Sequence, residues 1–336
     1  HIITPVAVET LGPIDEIGAT MLKSSLHWLA AMVLGGLGPS NPKSLLDNDP
    51  LWALLRGRIN FDAIQDSIDK GYLGALAITA AGYGSARSIT FYQGSPDHKP
   101  WERVRRKGRP TRMALEHLMA SVAVPMIFPP VRIGQEVFGD GAMRQATPLA
   151  PALRLGAHRL LVIRGRKEAP DPLPGPDQGV PYPSFGKIAG YILDALFMDG
   201  LSSDLENLIR INLILESVPG RVMQGEFGQL HHTDAFIMLP SRDVRAIAAR
   251  HVREMPVSIR VLMRGLGALN YGGSQLLSYL LFESGYTREL IALGYEDAMT
   301  RREDLLAFMD GQPIQAPAGI TGWRDLSEEY SQRVRV

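Results

Sequence analysis

The chain contains no cysteine. Disulfides, thiol nucleophiles and thiolate metal sites are therefore excluded, and the redox compartment is left open. Neither charge is in excess, with 35 Lys and Arg against 35 Asp and Glu. A nucleic-acid-binding protein carries a basic surplus, so no nucleic acid is expected as a partner. No apolar run reaches the ~20 residues that cross a bilayer. The nearest is LHWLAAMVLGGLG, residues 26–38, which is short and broken by glycines. It reads as a buried or surface helix, or alternatively as an interfacial segment that touches lipid. No signal-peptide pattern opens the chain at His1, and no internal repeat marks a solenoid. What is present is ordinary: 336 residues, 45% apolar and 21% charged, enough for one large globular domain or two small ones.

Residues 14–34 have helical apolar spacing. Asp49-Pro50 predicts a helix start, with the cap at Asp49 and a helix running to Arg58. Residues 61–70 form another, closed by Gly71. LGALAITA is nearly all apolar, as expected of a strand buried on both faces. ARSITFYQ alternates and predicts its hairpin partner across GYGS. TRMALEHLMAS is helical and is stopped by Pro125, and VRIGQEVFGDG gives a second hairpin. PLAPALRLGA reads as a helix closed by Gly156, and HRLLVIRG and DAFIMLPS as two further buried strands. Residues 166–183 are rich in Pro and Gly and predict an exposed loop. Separate helices are expected over 185–197 and 202–217, and the chain after Ser241 is mostly helical. Strand, helix and apolar strand in succession are the grammar of an α/β sheet.

The stretch with most chemistry in it is FGDGAMRQATPL, residues 138–149. It sets Asp140 between Gly139 and Gly141 at the end of an alternating run. Asp-Gly is a common turn. Here it follows a small-residue helix end, a Pro-rich turn and a hairpin, and it precedes a helix start near Thr147-Pro148. Loops at one edge of an α/β sheet are where ligands bind.

These segments resemble the patatin-like phospholipases. The resemblance lies in SVAVPMIFPP (residues 121–130), GDGA (139–142), PLAPALRLGA (148–157) and HRLLVI (158–163). It extends over residues 44–94 and, more faintly, over 235–250. Family members often carry Asn six residues after the Asp, where this chain has Ala146, while Pro148 keeps its place. The resemblance implies a three-layer α/β/α fold over residues 1–255, with a helical region over 256–336 packed on it. It also implies a Ser–Asp dyad in which Ser attacks an ester carbonyl and Asp140 takes its proton. Gly139 and Gly141 would be the geometric support. A free Asp titrates near pH ~4 and is a poor base at neutrality. Burial would have to raise its basicity, and backbone N–H groups would have to hold the oxyanion.

The Ser of such a dyad sits in G-x-S-x-G on a strand-to-helix turn. The chain has none. Ser85, Ser202 and Ser274 lie in the nearest strings, but none has glycine two residues later. Ser85 reads as a hairpin turn, Ser202 as a helix cap and Ser274 as part of an apolar helix. The glycine-rich oxyanion loop is absent too. The resemblance implies that the first strand, the oxyanion loop and the nucleophile lie upstream of His1. The alternative is a homologue that has lost its nucleophile.

The expected function is hydrolysis of phospholipid, lysophospholipid or another acyl ester, with no cofactor and no metal required. A catalytically silent lipid-binding or scaffold protein is the second reading, and an acyltransferase of related fold a third. His231-His232 reads as a surface turn, since zinc would want a third arm at suitable spacing. The basic cluster RVRRKGR, residues 103–109, reads as a solvated loop or as a contact with lipid phosphate. The apolar faces of residues 185–197 and 259–282 suit a core, an acyl channel or a homodimer interface. A cytoplasmic protein with peripheral membrane contact is expected.

Overall fold

The computed structural model describes residues 44, 48–166, 182–217, 231–269 and 274–312. The expected helix over 14–34, the apolar stretch 26–38, the loop over 167–181 and the tail beyond 312 lie outside the described residues. The architecture is α/β, a mixed sheet with helices. The described residues form two compact units. One comprises those up to Arg144 with Pro256–Leu262, and the other comprises Gln145–Met255 and those from Met263 onward.

The first unit opens with helices α1 (Asp49–Arg58) and α2 (Asp62–Asp69). The residue at the cap of α1 is Asn48 and Pro50 lies in the first turn, one residue earlier than expected for the cap; no side-chain hydrogen bond closes it. A six-stranded sheet follows, in the order β3-β4-β2-β1-β6-β5. Its strands are β1 (Ala75–Gly82), β2 (Ser88–Gly94), β3 (Trp101–Glu102), β4 (Arg106–Pro110), β5 (Val131–Ile133) and β6 (Glu136–Asp140). Neighbours are antiparallel except β2 and β4, which run parallel. Helix α3 (Leu115–Ser121) lies between β4 and β5 in the chain.

The alternation of side chains decides this unit's core. Ala80 pairs with Ile89 and Ile78 with Phe91. With Phe138 of β6 they share the face that buries Leu115, Met119 and Ala120 of α3. Phe91 and Phe138 meet edge to face at 5.4 Å, a favoured aromatic geometry. The opposite face of β1 is more polar, with Thr79 and Thr90 sharing a hydrogen bond at 3.0 Å, and five of the strand's eight residues are only half-buried. β1 is thus less completely buried than its run of apolar residues predicts.

The second unit holds α4 (Ala150–Arg154), β7 (Arg159–Ile163), α5 (Phe185–Ser217), β8 (Asp234–Met238), α6 (Val244–His251), α8 (Ser274–Leu280), α9 (Ser284–Thr300) and α10 (Arg302–Met309), with α7 (Val257–Gly265) between α6 and α8 in the chain. β7 and β8 pair in parallel as a separate two-stranded sheet. One face of β7 packs Leu160 and Val162 on Leu149, Leu205 and Leu208. The other face is open, with Ile163 75% exposed. The expectation that β7 is buried throughout is corrected accordingly.

The two helices expected on either side of Gly200 are one helix of 33 residues. Gly200 does not break it. A Cβ there would come within 3.0 Å of the Gln145 carbonyl oxygen, so glycine serves a close backbone approach. Gly190 does the same against α8, where a Cβ would lie 2.6 Å from that of Gln275.

Candidate active site

Asp140 is the last residue of β6 and pairs with Ala80 of β1. By the two-residue period it shares the core face with Phe138. Its backbone N–H donates to the Ala123 carbonyl at 2.9 Å, which ties it to the loop following α3. It is 6% exposed. Its Oδ1 accepts from the Ala142 N–H at 2.9 Å, across the single turn of 3-10 helix Gly141–Met143. None of the ion pairs among the described residues includes Asp140. Burial without a cation disfavours the charged form. The carboxyl is pushed up to about 6 by burial, against the opposing pull of the Ala142 hydrogen bond.

The flanking glycines have separate causes. At Gly141 an added Cβ would lie 2.3 Å from the Thr79 carbonyl oxygen, so the turn crosses the β1 backbone at a distance only glycine permits. At Gly139 a Cβ would sit 2.8 Å from the Tyr83 hydroxyl. The Tyr83 ring therefore lies over the peptide next to Asp140. Its hydroxyl donates to Met143 Sδ at 3.9 Å, a weak acceptor. Burial and the charge of Asp140 both push the phenol up.

Tyr83 escaped the sequence reading, in which Gly82-Tyr83-Gly84-Ser85 counted only as a turn. Its signal is an aromatic residue between glycines directly after an apolar strand. That turn is as expected in place and type. The Tyr83 N–H donates to the Val137 carbonyl at 3.0 Å, and the Ser85 N–H to Glu136 Oε1 at 2.7 Å.

Residues 10–153 match the family model of the patatin-like phospholipases. Over that span the chain is similar to a patatin-like phospholipase domain. No curated protein and no solved structure matches the chain. The patatin-like span takes in the whole sheet of the first unit, Asp140 with both its glycines, and all of α4 but its last residue. At the level of the family, the match supports lipid acyl hydrolysis.

The remaining candidates are elsewhere. Ser202 is not a cap but lies inside α5, and Ser274 begins α8. His232 faces Glu216 at 3.3 Å and Asp234 at 3.6 Å, while His231 packs on His158. No group of three His, Asp or Glu placed to hold a metal ion occurs among the described residues. The basic cluster is not a loop. Its second half is β4, and its first half is the turn that joins β4 to β3. A strand this rich in Lys and Arg lacks apolar alternation, so it is illegible from periodicity, and charge on outer strands is a known guard against aggregation.

Proposed function

We propose that Asp140 is the general base of a Ser–Asp dyad that hydrolyses a phospholipid or lysophospholipid acyl ester. The Ser is supplied by a segment upstream of His1 in the full protein. The observation that carries the reading is a carboxyl buried at the end of β6, in none of the ion pairs among the described residues, and pushed up to about 6 by that burial. Such a group is ionised at neutral pH yet is a stronger base than a free Asp, which is what proton abstraction from a hydroxyl needs. The Ser Oγ would attack the carbonyl carbon while its proton passes to Asp140. As the tetrahedral adduct collapses to the acyl-serine, Asp140 would pass that proton to the departing alcohol oxygen, and the freed carboxylate would then deprotonate the water that releases the fatty acid, with the proton returned to the serine. No step requires a metal.

A phosphonate probe that labels activated serines tests this on the full-length protein. The expected result is one labelled serine upstream of residue 1, with labelling lost in Asp140→Asn. Labelling at a serine within these 336 residues, or unchanged labelling in the variant, overturns the dyad. The absence of G-x-S-x-G from the sequence favours one other reading, a silent lipid-binding homologue. That reading expects no labelling at all.

A further inference from the structure

We infer that the sheet end at which β1 turns into β2 is a landing surface for an anionic lipid bilayer, with the β3–β4 hairpin as its contact point. The inference builds on the proposed lipid substrate, but its test reads binding and not turnover.

The hairpin is a fixed protrusion. Reciprocal backbone bonds between Arg103 and Arg106, at 2.8 and 3.4 Å, close it over Val104 and Arg105. Trp101 stacks on Tyr92 with ring centres 5.1 Å apart, and it lies so close over Gly108 that a Cβ there would be 2.3 Å from its ring. Glu102 bridges Arg87 and Lys107 at the base. Val104 at the tip is 90% exposed, between the exposed Arg103 and Arg105. Residues 101–109 carry five cations and one carboxylate. A chain that is neutral overall has concentrated positive charge here.

The sheet register gives the hairpin its direction. Asp140 pairs with Ala80, Ala80 with Ile89, and Ile89 with Lys107. One row across β6, β1, β2 and β4 therefore joins the candidate base to the hairpin. With strands spaced ~4.8 Å, the two lie about 14 Å apart along that row. The Ser88 N–H donates to the Arg105 carbonyl, so the hairpin tip and the Tyr83-containing turn extend from the same sheet end. Tyr83 is exposed there.

A soluble polyanion would bind the arginines but gain nothing from an apolar tip. A bilayer interface accepts both, with cations at the phosphates and Val104 and Tyr83 at the acyl boundary. No helix among the described residues is long and apolar enough to cross a membrane, so contact of this kind would be at the surface.

The experiment is co-sedimentation of the full chain with phosphatidylcholine vesicles, with and without about one-third phosphatidylglycerol. Binding should require the anionic lipid and weaken as salt is added. Arg103→Glu with Arg105→Glu should weaken it about ten-fold or more. Arg56→Glu with Lys70→Glu, the same charge change on α1 and at the end of α2, should weaken it far less. Val104→Trp should show a blue-shifted emission on the vesicles. Equal binding to neutral vesicles, equal losses in the two charge-reversal variants, or an unshifted tryptophan overturns the inference. So does tight heparin binding that is indifferent to Val104→Asp while vesicle binding is absent.

Discussion

Asp194 and Asp140 are both largely withdrawn from water, one in each unit, and their surroundings differ. Asp194 on α5 forms an ion pair with Arg166. Tyr279 donates to its Oδ1 at 2.7 Å and Gln275 to its Oδ2 at 2.6 Å. Arg166 also donates to Ser278 and stacks over the Tyr279 ring at 4.5 Å. Burial, foremost, pushes the Tyr279 phenol up, and the neighbouring carboxylate adds to this. That carboxylate is matched by a cation and two further donors, and its site joins the segment after β7 to α5 and α8 in one network. Asp140 has one backbone donor and no cation among the described ion pairs. A structural site satisfies its charge, whereas a site meant to take up a proton leaves the charge unsatisfied.

Replacing each acid breaks the comparison most directly. In the full-length protein, Asp140→Asn should lower kcat for acyl-ester hydrolysis about 10³-fold or more, since general bases contribute up to roughly 10⁴-fold. The wild-type rate should rise with pH through an apparent pKa of about 6. A rate that is flat between pH 5 and 8, with chemistry rate-limiting, would remove Asp140 from the proton transfer. Asp194→Ala should do the reverse. It should leave Arg166 buried and unpaired and destabilise the second unit by about 3–5 kcal/mol. Denaturant unfolding is the measurement, and a loss below about 1 kcal/mol would mean that the network relaxes freely.

The next effect has an unusual sign. A folded pKa near 6 against an unfolded value near ~3.9 means that the native state prefers the protonated Asp140. Ionisation therefore removes stability as the pH rises from about 4 to above 6, by at most about 3 kcal/mol. Asn mimics the neutral acid. Asp140→Asn should thus be more stable than wild type at pH 8 and equal to it near pH 3.5. Asp194→Ala should show no such gain. An equal or lower midpoint for Asp140→Asn at pH 8 would mean that Asp140 is solvated in solution.

What the sequence made legible follows the same division. Asp140 was readable because glycines, an alternating run and a Pro-rich turn surround it within about twenty residues of chain. Its neighbours Tyr83 and Thr79 were not, because they arrive through strand pairing some sixty residues away. The hairpins β1–β2 and β5–β6 were visible from alternation and turn chemistry. β3 and β4 were hidden by charge, and the continuity of α5 was hidden by a glycine that serves packing. The Asp194 network was invisible for a further reason. Arg166, Asp194 and Tyr279 meet only in three dimensions, and none sits in a recognisable local pattern.

The smallest effect refines the contrast by adding a third kind of titratable site, one built to hold a charge that changes near neutrality. His251, at the end of α6, faces Glu289 at 2.8 Å and Glu254 at 2.6 Å. Its pKa is raised, mostly by the hydrogen bond to Glu289 and then by that to Glu254. The Glu289 carboxyl is held low in turn by His251. Glu254 also accepts from the Gly285 N–H at 3.1 Å, so the imidazolium joins α6 to the start of α9. A raised folded pKa makes this contribution complete below the unfolded value near ~6.5, and it is lost as the pH rises through the folded value. Glu289 imposes the opposite limit, because its contribution is lost in acid. His251→Gln should lower Tm by about 2–4 °C at pH 6 and by clearly less at pH 9. An equal loss at both values would show that the imidazole acts there by packing on Tyr286, 6.2 Å away between ring centres, and not by its charge.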